Sequence, residues 1–138
     1  PPVRPRLAST GSNVALADVL SHVIAVQAEE DGALTVQYDE TFASLREVAV
    51  AEGLEMVSLT QLLAWDMQLD EGLRRKVATQ ANKTMLGAVV LIEQPGNRAD
   101  VMLRYNFPAG GLADQALQTL VLMALDGGTE VRRRLLES

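Results

Sequence analysis

The stretch that decides the fold is MVSLTQLLAWDMQL, residues 56–69. Large apolar residues recur at every second position, interrupted once at Gln61, and most residues between them are small or polar. Successive side chains of a β-strand point to opposite faces of a sheet, so this period of two predicts one long antiparallel strand. The residues predicted on its buried face are Val57, Leu59, Leu63, Trp65, Met67 and Leu69.

A helix is predicted directly after this strand. Asp70 is a favourable N-cap, because its carboxylate accepts a hydrogen bond from the free N–H groups of the first turn. Leu73, Val77 and Ala81 recur at every fourth position. This spacing predicts a helix over about 70–83 with a narrow apolar stripe.

The rest of the chain predicts a hairpin and a last helix. A buried strand over about 86–93 is followed by Pro95-Gly96, a pair typical of tight turns. The next strand places Val101, Leu103, Tyr105 and Phe107 on one face. The last helix begins near Leu112, and Asp126-Gly127-Gly128 is expected to interrupt it, with Thr129 capping a final segment.

Upstream, residues 1–12 are rich in Pro, Ser and Thr and predict a disordered N-terminal arm. A short helix over about 14–22 precedes two strands, about 23–29 and 33–39, joined by Asp31-Gly32, a pair that favours a hairpin turn. Residues 41–52 fit a helix or a strand, and we favour the strand. Residues 13–138 are therefore expected to form one α+β domain, an antiparallel sheet packed with helices. Its predicted order is helix, three or four strands, helix, β-hairpin and long C-terminal helix.

The composition excludes several classes of site. The 138 residues include no Cys and one His, which excludes disulfides, thiolate metal sites and thiol nucleophiles. Eighteen acidic residues against twelve basic ones argue against nucleic-acid binding. No apolar run is long enough to span a membrane, and the first residues lack the apolar stretch of a signal peptide. We therefore expect a cytoplasmic protein with no membrane contact, no metal and no cofactor.

Few residues are candidates for chemistry. His22 has no partner nearby in sequence that would position it as a general base, so we expect no catalytic residue and no enzyme activity. Gly110-Gly111 suggests a weak anion site, because a helix N-terminus presents free N–H groups. The run Arg132-Arg133-Arg134 either complements the dipole at the end of the last helix or contacts an acidic partner. Asp66 and Arg104 are expected to form a cross-strand ion pair.

Three aromatic residues, Trp65, Tyr105 and Phe107, fall on the apolar faces of the predicted strands. Two interpretations remain open for them. They fill the core, or they form a surface for a partner, since interfaces are enriched in aromatic residues.

Several segments together resemble the type III secretion chaperone-like superfamily, and within it the YbjN-type proteins. They are Leu63-Ala64-Trp65-Asp66, Asp70 to Asn82, Gly87-Ala88-Val89-Val90-Leu91, Val101-Met102-Leu103-Arg104-Tyr105, and Gly111 to Leu136. In that family a helix ending in Asn precedes a β-hairpin, and a long amphipathic helix closes the chain. The resemblance covers residues 55–138 and extends loosely to residues 14–54.

The resemblance implies a bacterial, non-enzymatic homodimer that holds a client or partner protein, as a secretion chaperone, an adaptor or a regulator. The residues predicted to bind the partner are Trp65, Leu63, Met67, Tyr105 and Phe107. The residues predicted at the dimer interface are Leu73, Val77 and Ala81. The alternative is a small-ligand or nucleotide-sensing regulatory domain that uses the helix entry at Gly110-Gly111.

Overall fold

The structure is a computed structural model that describes residues 16–137. It begins with a helical segment, α1, at residues 16–20. The other elements are β1 (Gln27–Ala28), β2 (Leu34–Tyr38), β3 (Thr41–Ala51), β4 (Leu54–Gln68), α2 (Glu71–Lys83), β5 (Ala88–Gln94), β6 (Arg98–Pro108) and α3 (Asp114–Leu135). This confirms the predicted α+β class and element order. The arm predicted at residues 1–12 and the first residues of the predicted first helix lie outside the described residues.

The six strands form one antiparallel sheet in the order β1-β2-β3-β4-β6-β5. Residues 41–51 are strand β3, which pairs with both β2 and β4, so the favoured interpretation of this segment is correct. The strand predicted at 23–29 is shortened to Gln27–Ala28. The reason is local, because the N–H groups of Val23 and Ile24 donate to the Leu20 carbonyl and close the end of α1.

The predicted turn and cap residues have the expected local geometry. Gly32 has φ 93°, and Asp31 Oδ1 accepts a hydrogen bond of 3.1 Å from Ala33 N in the β1–β2 connection. Asp70 caps α2, since its Oδ1 accepts from Leu73 N at 2.8 Å. The carboxylates of Asp31 and Asp70 thus accept hydrogen bonds from backbone N–H groups that would otherwise lack partners.

All three helices that the structure describes pack against the same face of the sheet. One core cluster joins α1 and the first half of α3 to the strands β2, β3 and β4. A second cluster joins α2 and the end of α3 to β4 and β6. Burial of these apolar residues is the main source of the stability of the domain.

No described helix covers the opposite face, which we call the open face. Strand register and alternation place on it the side chains of Thr35, Gln37, Phe42, Ser44, Arg46, Val48, Met56, Ser58, Thr60, Leu62, Ala88, Val90, Ile92, Gln94, Arg98, Asp100, Met102, Arg104 and Asn106. Several of them are apolar, which is unusual for a face that water reaches.

The predicted interruption of the last helix is wrong, because α3 is continuous from Asp114 to Leu135. Gly128 is buried at the point where α3 packs on the sheet, directly over the side chain of Gln61. Gln61 Nε2 donates to the Leu125 carbonyl at 3.2 Å and to Thr41 Oγ1 at 2.8 Å. Glycine at this position therefore permits close approach of the helix to the sheet.

The predicted buried face of β4 is correct up to Leu63 and wrong at Trp65. Val57, Leu59 and Leu63 have no exposed surface, whereas Trp65 is 43% exposed. The register between β4 and β6 shifts between Leu62 and Ala64, and again before Met67. A bulge inserts an extra residue and reverses which side chains face the core, so Ala64 takes the buried position that alternation assigned to Trp65.

Candidate functional site

The five residues predicted to bind a partner do not share one surface. Leu63 and Phe107 are enclosed in the two core clusters. Tyr105 and Met67 are half-buried and pack against those clusters. Trp65 is the member of the predicted set that presents a large exposed side chain.

Trp65 lies where β4 extends beyond the beginning of β3. The register pairs Phe42 with Leu62, so the residues of β4 after Leu62 lack a β3 partner. The Trp65 ring lies 5.8 Å from the Phe42 ring, between centroids, and the guanidinium carbon of Arg132 lies 5.5 Å from the Trp65 centroid. These contacts hold an exposed aromatic pair at the edge of the open face.

Arg132 anchors this edge to the rest of the protein. Its Nη1 donates to the Leu63 carbonyl at 2.7 Å, and its Nη2 donates to Glu40 Oε1 at 3.3 Å. One arginine of the predicted run therefore donates to a backbone carbonyl of β4 that has no partner in β3. The other two, Arg133 and Arg134, form ion pairs with Glu130 on their own helix.

An apolar row crosses the open face next to Trp65. Register pairs Phe42 with Leu62, Leu62 with Met102, and Met102 with Val90, so four neighbouring strands each contribute one apolar side chain. Phe42 is 48% exposed, and the other three are half-buried. A depression of about 870 Å³ lies over this part of the face and includes Phe42, Leu62 and Met102 in its lining.

A second row, which we call the polar row, runs beside the apolar row on the side of the β3–β4 turn. Each of its members lies two residues from a member of the apolar row on the same strand. Ser44 pairs with Thr60, Thr60 with Arg104, and Arg104 with Ala88. The predicted ion pair between Asp66 and Arg104 is not formed. Asp66 accepts from Arg98 Nε at 3.1 Å instead, because the register pairs Arg104 with Thr60, six residues from Asp66 along β4.

The predicted dimer stripe already packs within the chain. Leu73 and Val77 are buried in the second core cluster, against Val131 and Leu135 of α3. Ala81 is exposed. The dimer itself stays a prediction, and of its three predicted interface residues Ala81 is the exposed one.

The remaining sequence candidates lie at exposed ends of elements. His22 is exposed in the turn after α1. Gly110 and Gly111 precede α3, whose N-cap Ala113 makes no side-chain hydrogen bond and whose first turn carries the carboxylate of Asp114. That carboxylate disfavours an anion at this helix end. Residues 16–137 contain no group of three or more His, Asp or Glu side chains that could hold a metal ion.

One hydrogen bond joins the β2–β3 hairpin to the middle of α3. The Tyr38 hydroxyl donates to Asp126 Oδ1. This hydrogen bond, together with burial and the nearby negative charge, raises the pKa of Tyr38 to about 12. Ionisation of Tyr38 would place two negative charges in contact, so the phenol keeps its proton to a higher pH than a free tyrosine does.

The comparisons with known proteins find a similar fold rather than a similar sequence. No protein-family model and no curated protein matches the chain. The chain is similar to the crystal structure of YbjN, a proposed transcription regulator from E. coli, with a TM-score of 0.62 and 11% identity. The match covers 86% of this chain and 87% of that one. This chain has a YbjN-like fold.

The YbjN-like fold confirms that part of the predicted resemblance. At this level of identity the likeness concerns the path of the backbone and carries no residue roles. Among the described helices, none is both long and apolar enough to cross a membrane.

The apolar row was not predicted from the sequence. Its members fall on the polar parity of their strands, where single apolar residues are common and need no explanation. The available signal was the doublet Leu62-Leu63, which places a large apolar residue on each face of β4. The row becomes visible only when strand register aligns four such residues.

Proposed function

We propose that the protein is a non-enzymatic protein-binding module of the secretion-chaperone, adaptor or regulator kind, which holds a partner polypeptide on the open face. We propose further that it acts as a homodimer in the cytoplasm. The single observation that carries the proposal is the apolar row together with the exposed pair Phe42 and Trp65.

The physical reason is that exposure of the apolar side chains on this face to water is unfavourable in free energy. A sheet with one packed face normally carries polar residues on the other. Here four cross-strand neighbours are apolar and two aromatic rings are more than 40% exposed. Burial of apolar surface is favourable by about 25 cal/mol per Å², and aromatic residues dominate the affinity of many interfaces. A partner that covers the row would therefore gain binding energy from it.

The proposed transcription regulator to which this fold is similar supports the regulatory version of the proposal. A secretion-chaperone role rests on the sequence resemblance. Both versions require the same physical property, a surface that holds another polypeptide, so one experiment tests that shared property.

The experiment is affinity enrichment from the native cell by the tagged protein, quantified by mass spectrometry. We compare the wild type with the double variant Phe42→Ala/Trp65→Ala and with Met85→Ala. Met85 is 86% exposed in the loop after α2, away from the open face, so it controls for loss of any exposed apolar side chain.

We expect a specific polypeptide to be enriched by the wild type and by Met85→Ala and to be lost with the double variant. Circular dichroism must show that the double variant keeps the fold. Equal enrichment by all three proteins would contradict binding at the open face.

A further inference from the structure

On one side of the apolar row, the charge of the open face is opposite to that of the whole chain. The protein carries 18 acidic and 12 basic residues, a formal net charge of −6. Along the apolar and polar rows, and in the next row toward the β3–β4 turn, the charged side chains are Arg46 and Arg104. On this side of the apolar row an acidic protein therefore presents cationic groups. On the other side, two residues from Met102 on the same face of β6, the Asp100 carboxylate has the opposite charge and already accepts hydrogen bonds from two neighbouring groups.

The two arginines differ in their partners. Arg46 lies near the β1–β2 connection, where its Nη2 forms an ion pair of 2.9 Å with Asp31. Arg104 is exposed, and within residues 16–137 no carboxylate lies at ion-pair distance from it. The charge of Arg104 is therefore available to another molecule.

The neighbours of Arg104 leave space for an anionic group. Thr60 and Ala88, which flank it across the two adjacent strands, are small. Ser44 lies beyond Thr60 and adds a second hydroxyl donor to the row. The planar guanidinium can accept a carboxylate through two parallel hydrogen bonds.

Arg104 is also close to the apolar row. Met102 and Arg104 are two residues apart on the same face of β6, which separates them by about 7 Å. Side chains two apart on a strand, or three to four apart on a helix, have a matching separation. One short segment can therefore place an apolar group on the row and a carboxylate on Arg104 together.

We propose that the open face recognises an acidic amphipathic segment of a partner polypeptide, with apolar side chains on the apolar row and a carboxylate on Arg104. This inference rests on the proposed function and adds the chemistry of the partner.

The test uses a phage-displayed library of short random peptides, selected separately on the wild-type, Arg104→Glu and Arg75→Glu proteins. Arg75 is an exposed arginine on α2, so its variant makes the same change in net charge away from the open face. We expect the wild type and Arg75→Glu to select peptides rich in apolar residues and in Asp or Glu. Arg104→Glu is expected to select Lys or Arg in place of the acidic residues.

The selected peptides then give affinities. Because Trp65 is the only tryptophan, its fluorescence reports binding beside the apolar row. We expect Arg104→Glu to weaken the binding of an acidic peptide by about tenfold or more. Exchange of the peptide's acidic residue for Lys is expected to restore binding to that variant.

The outcomes separate this inference from the proposed function. If the binding of the selected peptides depends on Phe42 and Trp65 but the peptides are not enriched in Asp or Glu, the role of Arg104 is overturned and the proposed function stays intact. Failure to select any peptide that depends on Phe42 and Trp65 would overturn both. Self-association of the protein that is lost with Arg104→Glu would show that a second copy occupies the face, which also overturns the inference.

Discussion

Gly128 of α3 lies directly over the side-chain amide of Gln61 in β4, and a Cβ at position 128 would overlap that amide. Gln61 is fully buried, and its Nε2 bonds to Thr41 and to the Leu125 carbonyl. The neighbouring Gly127 has open space around the position of a Cβ. Of these two adjacent glycines in one helix, Gly127 therefore has space for a side chain and Gly128 has none.

This difference gives a prediction for alanine substitutions. We expect Gly128→Ala to lower the free energy of unfolding by about 1–3 kcal/mol, because the added methyl group forces the buried amide to move. Gly127→Ala should raise it by about 0.5–1 kcal/mol, because alanine loses less entropy in a helix. Urea unfolding of both variants measures the effect, and equal changes in stability would contradict the close packing at Gly128.

A second prediction concerns the change of face along β4. Leu63 has no exposed surface, and we expect Leu63→Ala to lower the free energy of unfolding by about 2–5 kcal/mol. Trp65→Ala should lower it by less, about 1–2 kcal/mol, because the ring is 43% exposed. Thr60→Ala, on the open face, serves as a control with a change of about 0.5 kcal/mol or less. A larger loss for Trp65→Ala than for Leu63→Ala would show that the bulge is absent in solution.

The hydrogen bond between Tyr38 and Asp126 predicts a dependence of stability on alkaline pH. The pKa of Tyr38 is raised from 10.0 to about 12 in the folded protein. The folded state therefore holds this proton more tightly than the unfolded state. Its contribution to stability is complete below pH 10 and is lost as the pH rises toward 12.

Unfolding by urea at a series of pH values tests this contribution. We expect Tyr38→Phe to remove the part of the alkaline slope that Tyr38 causes. An unchanged slope in Tyr38→Phe would contradict the contact with Asp126.

The predicted homodimer is tested by light scattering at micromolar concentration. We expect twice the 14.9 kDa mass of the chain. Since Leu73 and Val77 face the protein's own core, we expect Ala81→Arg to give a folded monomer. A monomeric wild type would contradict the dimer, and a dimeric Ala81→Arg would exclude the exposed flank of α2 as its interface.

Local signals predicted most of the elements correctly. Alternation located β4 and β6, Asp70 marked the beginning of α2, and the strand was favoured over a helix for the segment that forms β3. The turn at Gly32 followed from its tolerance of positive φ. These features depend on residues close together in the chain, so they can be recognised without knowledge of the rest of the fold.

The candidate site was predicted less well. Trp65 was identified as a residue of interest, although alternation placed it on the buried face. Phe42 was noted as part of an ambiguous segment, and the apolar row was not identified. Arg104 was assigned to an ion pair with Asp66, a residue that pairs with Arg98 instead.

The sequence by itself determined the α+β class, the order of elements and the residues that fill most of the core, because each follows from periodicity and turn chemistry within short segments. Only the tertiary structure decided three other features: the face on which Trp65 lies, the continuity of α3 through Gly128, and the alignment of Phe42, Leu62, Met102 and Val90. Each depends on the register or packing of residues distant in the chain. A register shift of one residue exchanges the faces of a strand, and the contact with Gln61 makes a helix-weakening glycine the residue that fits at position 128.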